Sequence, residues 1–205
     1  MSEEKRGSRS ELRSRAEAGD ASAQLELARN LADGGGVPDL VAAARWFRKA
    51  AEQGNADAQY QLAVRHLNGQ GIEQDLPEAA RWLRKAAEQG HAGAQDSLGV
   101  RFATGQGVAQ NETEALRWFR KAAEQGHAVA QFNLGLAYAQ GKGTPVDLVE
   151  AYAWFCLSAE MGDSVAGSAV ETVVESLSLD ELRKARALFH ELFGRFTKIW
   201  DKKAA

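Results

Sequence analysis

The stretch Trp118-Phe119-Arg120-Lys121-Ala122-Ala123-Glu124-Gln125-Gly126 occurs almost unchanged twice before, from Trp46 to Gly54 and from Trp82 to Gly90, and once after in altered form, from Trp154 to Gly162. The four tryptophans stand 36 residues apart, and Gly19, Gly54, Gly90, Gly126 and Gly162 keep nearly the same beat. A fixed period of this length marks a repeat array, in which each unit is a supersecondary element that buries its apolar face only against its neighbours. In a chain of 205 residues the array leaves no room for a second independent domain.

Each repeat reads as two helices. The first, for example Asn55 to Leu67, opens with a capping residue in three copies (Asp20, Asn55, Asp163) and carries Ala58, Gln59, Leu62, Ala63 and His66 on one packing face. It stops at a Gly-x-Gly turn (Gly34-Gly35-Gly36, Gly69-Gln70-Gly71, Gly105-Gln106-Gly107, Gly141-Lys142-Gly143), where glycine permits a left-handed backbone. The second helix is expected from Asp39, Asp75, Asn111 or Asp147. The last three have a glutamate three residues on (Glu78, Glu114, Glu150), as in a capping box. In the second copy Ala79, Trp82, Leu83, Ala86 and Ala87 form the buried face, while Arg81, Arg84, Lys85 and Glu88 point outward as a solvated row.

The assembled pattern runs Gly, Ala-Gln, Leu-Ala/Gly, an aromatic, Gly-x-Gly, Asp or Asn, Ala, Trp-Phe, Ala-Ala and again Gly. It resembles the Sel-1-like repeat (SLR) family, a relative of the tetratricopeptide repeats. The resemblance implies an all-α, right-handed superhelical α-solenoid of about four α-hairpins that scaffolds protein complexes, and with no catalytic motif in the sequence the expected role is a non-enzymatic adaptor. The expected layout is a flexible leader over 1–10, a solenoid domain over 11–194 with a polar amino-terminal half-repeat and a capping helix pair from about residue 163, and a helix end and tail over 195–205. Some cysteine-rich members bind or hydrolyse β-lactams and carry a disulfide in each repeat; with Cys156 its only cysteine, this chain matches that hydrolase branch poorly.

Positions shared by all copies build the scaffold, so function is sought where copies differ. By resemblance, the first helices line a concave groove. Its candidate contacts for a partner peptide or helix are Leu25, Arg29, Tyr60, Val64, Leu67, Asp96, Val100, Phe132 and Leu136, flanked by Arg65, Arg101 and Asn133 as groups that orient a backbone or carboxylate. Tyr60 and Phe132 are the expected anchors.

The fourth copy breaks the pattern, because Arg117, Arg120 and Lys121 correspond to Ala153, Cys156 and Leu157. A charged face has become apolar and something must cover it. The helix opening at Ser178-Leu179-Asp180-Glu181 supplies apolar residues for this, and Phe196, Ile199 and Trp200 beyond it pack on that face or make a second contact, such as self-assembly into a homo-oligomer.

Charge and motifs narrow the function classes. With 25 basic and 28 acidic residues the net charge is −3, which supplies no general field for nucleic acid or an anionic membrane. No apolar run has signal-peptide or membrane-spanning length, so a cytoplasmic location is expected if Met1 is the true start. His91 and His127 replace capping residues at a helix start and so read as caps, not metal ligands. Cys156 lies in an apolar segment unsuited to an activated thiolate. No cofactor, metal or catalytic constellation is indicated.

Overall fold

The computed structural model describes the backbone of residues 3–34 and 36–204 and the side chains of residues 10–34 and 36–197. Among the described residues every regular element is an α-helix: α1 (Glu3–Glu17), α2 (Ala21–Asp33), α3 (Val37–Glu52), α4 (Ala56–Asn68), α5 (Leu76–Glu88), α6 (Ala92–Thr104), α7 (Glu112–Ala123), α8 (Ala128–Gln140), α9 (Leu148–Glu160), α10 (Ser164–Ser176) and α11 (Leu179–Ala204). The leader expected over 1–10 falls largely outside the described side chains, and helix α1 begins within it. The chain groups into two compact units, residues 1–101 with 105–109, and residues 102–104 with 110–205.

In the first unit, helix starts follow from the residue before them. Asp20, Asn55 and Asp75 turn a side-chain oxygen onto the first-turn amides of Ala23, Ala58 and Glu78, which have no partner within the helix, while His91 does the same to Ala94 with Nδ1 at 3.0 Å. The first repeat departs from expectation at its turn. Gly34 and Gly36 both have negative φ, and α3 starts at Val37 with Gly36 as its cap, two residues before Asp39; Gly35 lies outside the described residues. Pro38 sits in the first turn of α3, where a missing amide costs nothing, so the helix begins early.

Two devices join successive hairpins. The second glycine of each remaining turn is one: Gly71 has φ +74°, and a Cβ there would stand 2.2 Å from the carbonyl oxygen of Leu40 at the start of α3. Glycine is therefore required by backbone contact as well as by φ. The other is the repeated glutamine. The Nε2 amides of Gln24, Gln59 and Gln95 donate to the carbonyls of Ala16, Ala51 and Ala87 at 3.0–3.1 Å, satisfying the end of the preceding helix. Gln53 and Gln89, at the ends of α3 and α5, then donate to the side-chain oxygens of Gln24 and Gln59 at 2.8 and 2.7 Å.

The second unit repeats these contacts with one gap. Gln131 donates to the Ala123 carbonyl at 3.4 Å, but its own oxygen is buried without a partner because Met161 stands where Gln53 and Gln89 stood. Helix α11 packs on α9. This covers the apolar face of the fourth copy: Ala153 and Leu157 are fully buried, and Phe196 lies edge-on to Trp154 with ring centres 6.4 Å apart. α11 runs unbroken through Gly194.

Candidate interaction surface

In the first unit the predicted groove residues separate into three groups. Leu25 and Asp96 are only 8% and 7% exposed. Contrary to the sequence expectation, their burial leaves neither side chain a surface that a docking partner could reach. Tyr60, Val64, Leu67 and Val100 are half-buried and Arg29 is exposed. Arg65 and Arg101 are half-buried, each with its Nε enclosed and unpartnered, and burial pushes both guanidinium groups down from their ordinary value.

Tyr60 belongs to a polar-aromatic cluster that sequence reading did not assemble. Its ring stacks on the His91 imidazole with centres 4.5 Å apart and an interplanar angle of 28°. Because His91 Nδ1 accepts the Ala94 amide, the neutral ring carries its proton on Nε2, which faces Asp57 at 3.5 Å. Asp57 also takes the Arg29 guanidinium at 2.9 Å. Gly93 lies against the same pair, since a Cβ there would stand 3.3 Å from Cε1 of His91 and in ordinary contact, 3.5 Å, with the tip of the tyrosine. The cluster links the starts of α4 and α6 to α2 and leaves Tyr60 half-buried. A histidine replacing Asn or Asp at a capping site beside an aromatic in the previous repeat was the available signal.

In the second unit Phe132, Asn133 and Leu136 are half-buried on α8. Phe132 leans on Phe155, a core ring, at 5.4 Å, so it is in part a scaffold residue. His127 repeats the capping role of His91, with Nδ1 3.3 Å from the Ala130 amide. Phe196 is enclosed within the chain, whereas the side chains of Ile199 and Trp200 lie outside the described residues. The Cys156 thiol is pushed up by burial, with a hydrogen bond from Tyr152 opposing the shift, so it stays protonated near neutrality.

Lys85, which the sequence places in a solvated row, is engaged, as are its counterparts in the repeats before and after. Lys49, Lys85 and Lys121 hold their ammonium groups 4.2, 4.1 and 4.4 Å from the ring centres of Trp46, Trp82 and Trp118. The spacing of three residues on a helix, which brings side chains together, was legible in the sequence.

A series of α-hairpins joined through glutamine and glycine contacts, with variable side chains on the first helices, defines a helical repeat protein. The Sel1 repeat model matches residues 21–55, 56–91, 92–127 and 128–163, and the chain belongs to that family, whose members serve in general as non-catalytic scaffolds for protein interaction. Among solved structures it is similar to a Sel1 repeat protein from Oxalobacter formigenes, at 34% identity and a TM-score of 0.72, covering 86% of this chain and 74% of that one. It is also similar to c5321, a protective antigen of uropathogenic Escherichia coli strains with an SLR fold, at 30% identity and a TM-score of 0.61; the match covers 91% of this chain and 48% of that one. Comparison with functionally curated proteins found no match. Among the described residues no helix is long and apolar enough to cross a membrane.

Proposed function

We propose that the chain is an adaptor that binds an extended or helical segment of a partner protein along the variable faces of its first helices and performs no chemistry on it. The observation that carries this reading is the half-buried apolar series Tyr60, Val64, Leu67 and Val100, set beside the Arg29–Asp57 pair. Apolar residues rimmed by charge are what a peptide groove offers. Family membership supports it at the level of protein binding.

The test begins with affinity capture from the native host to obtain a candidate, followed by titration of the purified partner. Tyr60→Ala with Val64→Ser is expected to remove binding while keeping helicity close to wild type, with a modest fall in melting temperature from the lost His91 stacking. Undiminished binding by the double variant would eliminate this face as the docking surface.

A further inference from the structure

Three of the four repeat tryptophans carry a cation from their own helix, and the fourth does not. The position that supplies Lys49, Lys85 and Lys121 is Leu157 in the last repeat, and Leu157 is buried. Trp154 instead borders a cavity of about 390 Å³ between α7, α8, α9 and α11, within the size range of small-ligand pockets. We infer that this cavity is a receptor for a cationic side chain, a lysine or arginine of a partner protein, which takes the place beside Trp154 that the repeat's own lysine fills elsewhere.

The walls suit such a group. Leu188, Leu192 and Phe196 of α11 line one side, matching the apolar stem of a lysine. Among the described residues two arginines and three glutamates border the space, a balance of −1. Arg195 is ion-paired with Glu191, and Arg120 donates to the Tyr138 hydroxyl and lies 5.8 Å from that ring centre. Among the described residues Glu124 and Glu150 have no ion-pair partner, and Glu150 accepts the Trp154 indole N–H at 2.9 Å, which fixes a carboxylate at the edge of the ring. Burial raises the Tyr138 hydroxyl above its ordinary value, and the nearby Glu150 charge raises it further against Arg120. Trp154 is 6% exposed and is met edge-on by Phe196, so the attraction for an alkylammonium ion comes first from the carboxylates beside the indole, with the apolar wall holding its stem. This inference is independent of the groove reading, since it uses none of those side chains.

The test is titration of the full chain, with its tryptophan indole N–H resonances resolved by ¹⁵N labelling, using n-butylammonium chloride as probe and sodium butyrate as the control of opposite charge. The Trp154 resonance is expected to shift saturably with butylammonium only, while those of Trp82 and Trp118 stay in place. Glu150→Gln keeps an acceptor for the indole and is expected to weaken the response about tenfold by removing charge. Glu124→Gln, at an exposed site, gives a second reading that does not touch folding. No saturable shift, an equal shift with butyrate, or a full response in both glutamine variants would overturn the assignment.

Discussion

Met161→Gln should stabilise the protein, although it replaces an apolar residue by a polar one. Residue 161 ends α9 with φ −84° and ψ 6°, close to the backbone of Gln53 (−80°, 1°) and Gln89 (−81°, 0°) at the ends of α3 and α5. A glutamine there leaves the helix in the same direction and can place its Nε2 on the Gln131 oxygen, as Gln89 does on Gln59 at 2.7 Å. Gln131 is completely buried and that oxygen has no partner. An unsatisfied buried acceptor costs about 1–3 kcal/mol. Met161 is 46% exposed, so exchanging its thioether end for an amide forfeits only about 0.5 kcal/mol of apolar burial. The net gain is about 1 kcal/mol, or roughly 2–4 °C in melting temperature for a chain of this size. The reciprocal change, Gln89→Met, orphans the Gln59 oxygen and should cost about 1–3 kcal/mol. Far-UV circular dichroism melts read both, and a double-mutant cycle with Gln131→Met isolates the bond, because the gain from Met161→Gln must vanish when residue 131 offers no oxygen. A gain that persists in the Gln131→Met background, or no gain at all, would refute the hydrogen-bond argument.

His66 is 5% exposed with neither ring nitrogen hydrogen-bonded, and its counterpart in the next repeat is Phe102. His66→Phe should therefore stabilise by about 1–2 kcal/mol; a lower melting temperature would show that the nitrogens are served by buried water. Gly71→Ala should cost about 3 kcal/mol, combining left-handed strain with collision against the Leu40 carbonyl. Gly90→Ala, with φ +91° but open space around it, should cost only the strain, about 1–2 kcal/mol. Equal losses in the two variants would remove the backbone-contact argument. The Asp20 carboxyl is held below its ordinary range by Arg15 and then by the Ala23 amide. Since the folded value is the lower one, its stabilisation is present above the unfolded carboxylate range and drains away as pH falls through the folded value. Amide exchange at Ser22 and Ala23 should accelerate over that acid window, and Asp20→Asn should flatten the dependence.

The helical hairpins were legible because spacing alone determines them: a period of 36 residues, capping residues at fixed offsets and a Trp-to-Gly ridge leave little freedom. The surface was less legible for a reason specific to arrays. A helix in an isolated amphipathic pair has one buried side, but a first helix here meets its own hairpin partner and elements of adjacent repeats. The face opposite the obvious packing stripe is therefore only partly free, which is why Leu25 and Asp96 are buried while Arg29 and Tyr60 retain exposure. The glutamine relay escaped notice because each amide joins groups on different helices, about 29 or 30 residues apart, and periodicity places residues on faces without pairing their polar atoms. Chemistry specific to a pair of close neighbours, such as Trp82 with Lys85, was present in the spacing but read as solvation.

The departures in the fourth repeat make sense together. An array whose last helix met water would keep the outward Arg and Lys of the earlier copies; here those positions are Ala153, Cys156 and Leu157, and α11 lies across them. Covering that face with a helix required an apolar residue at 157, which removed the cation from Trp154, and the space left between α11 and its neighbours became the cavity bordered by Glu150. Met161, at the end of the same helix, dropped the glutamine that would have served Gln131. If α11 is the cause, charge restored at position 157 should strain the α9–α11 contact while leaving the first unit intact. Leu157→Lys is expected to raise amide exchange selectively in α11, with helices α2 to α5 unchanged. Uniform exchange across the chain would show instead that the fourth repeat holds its shape independently of the helix laid over it.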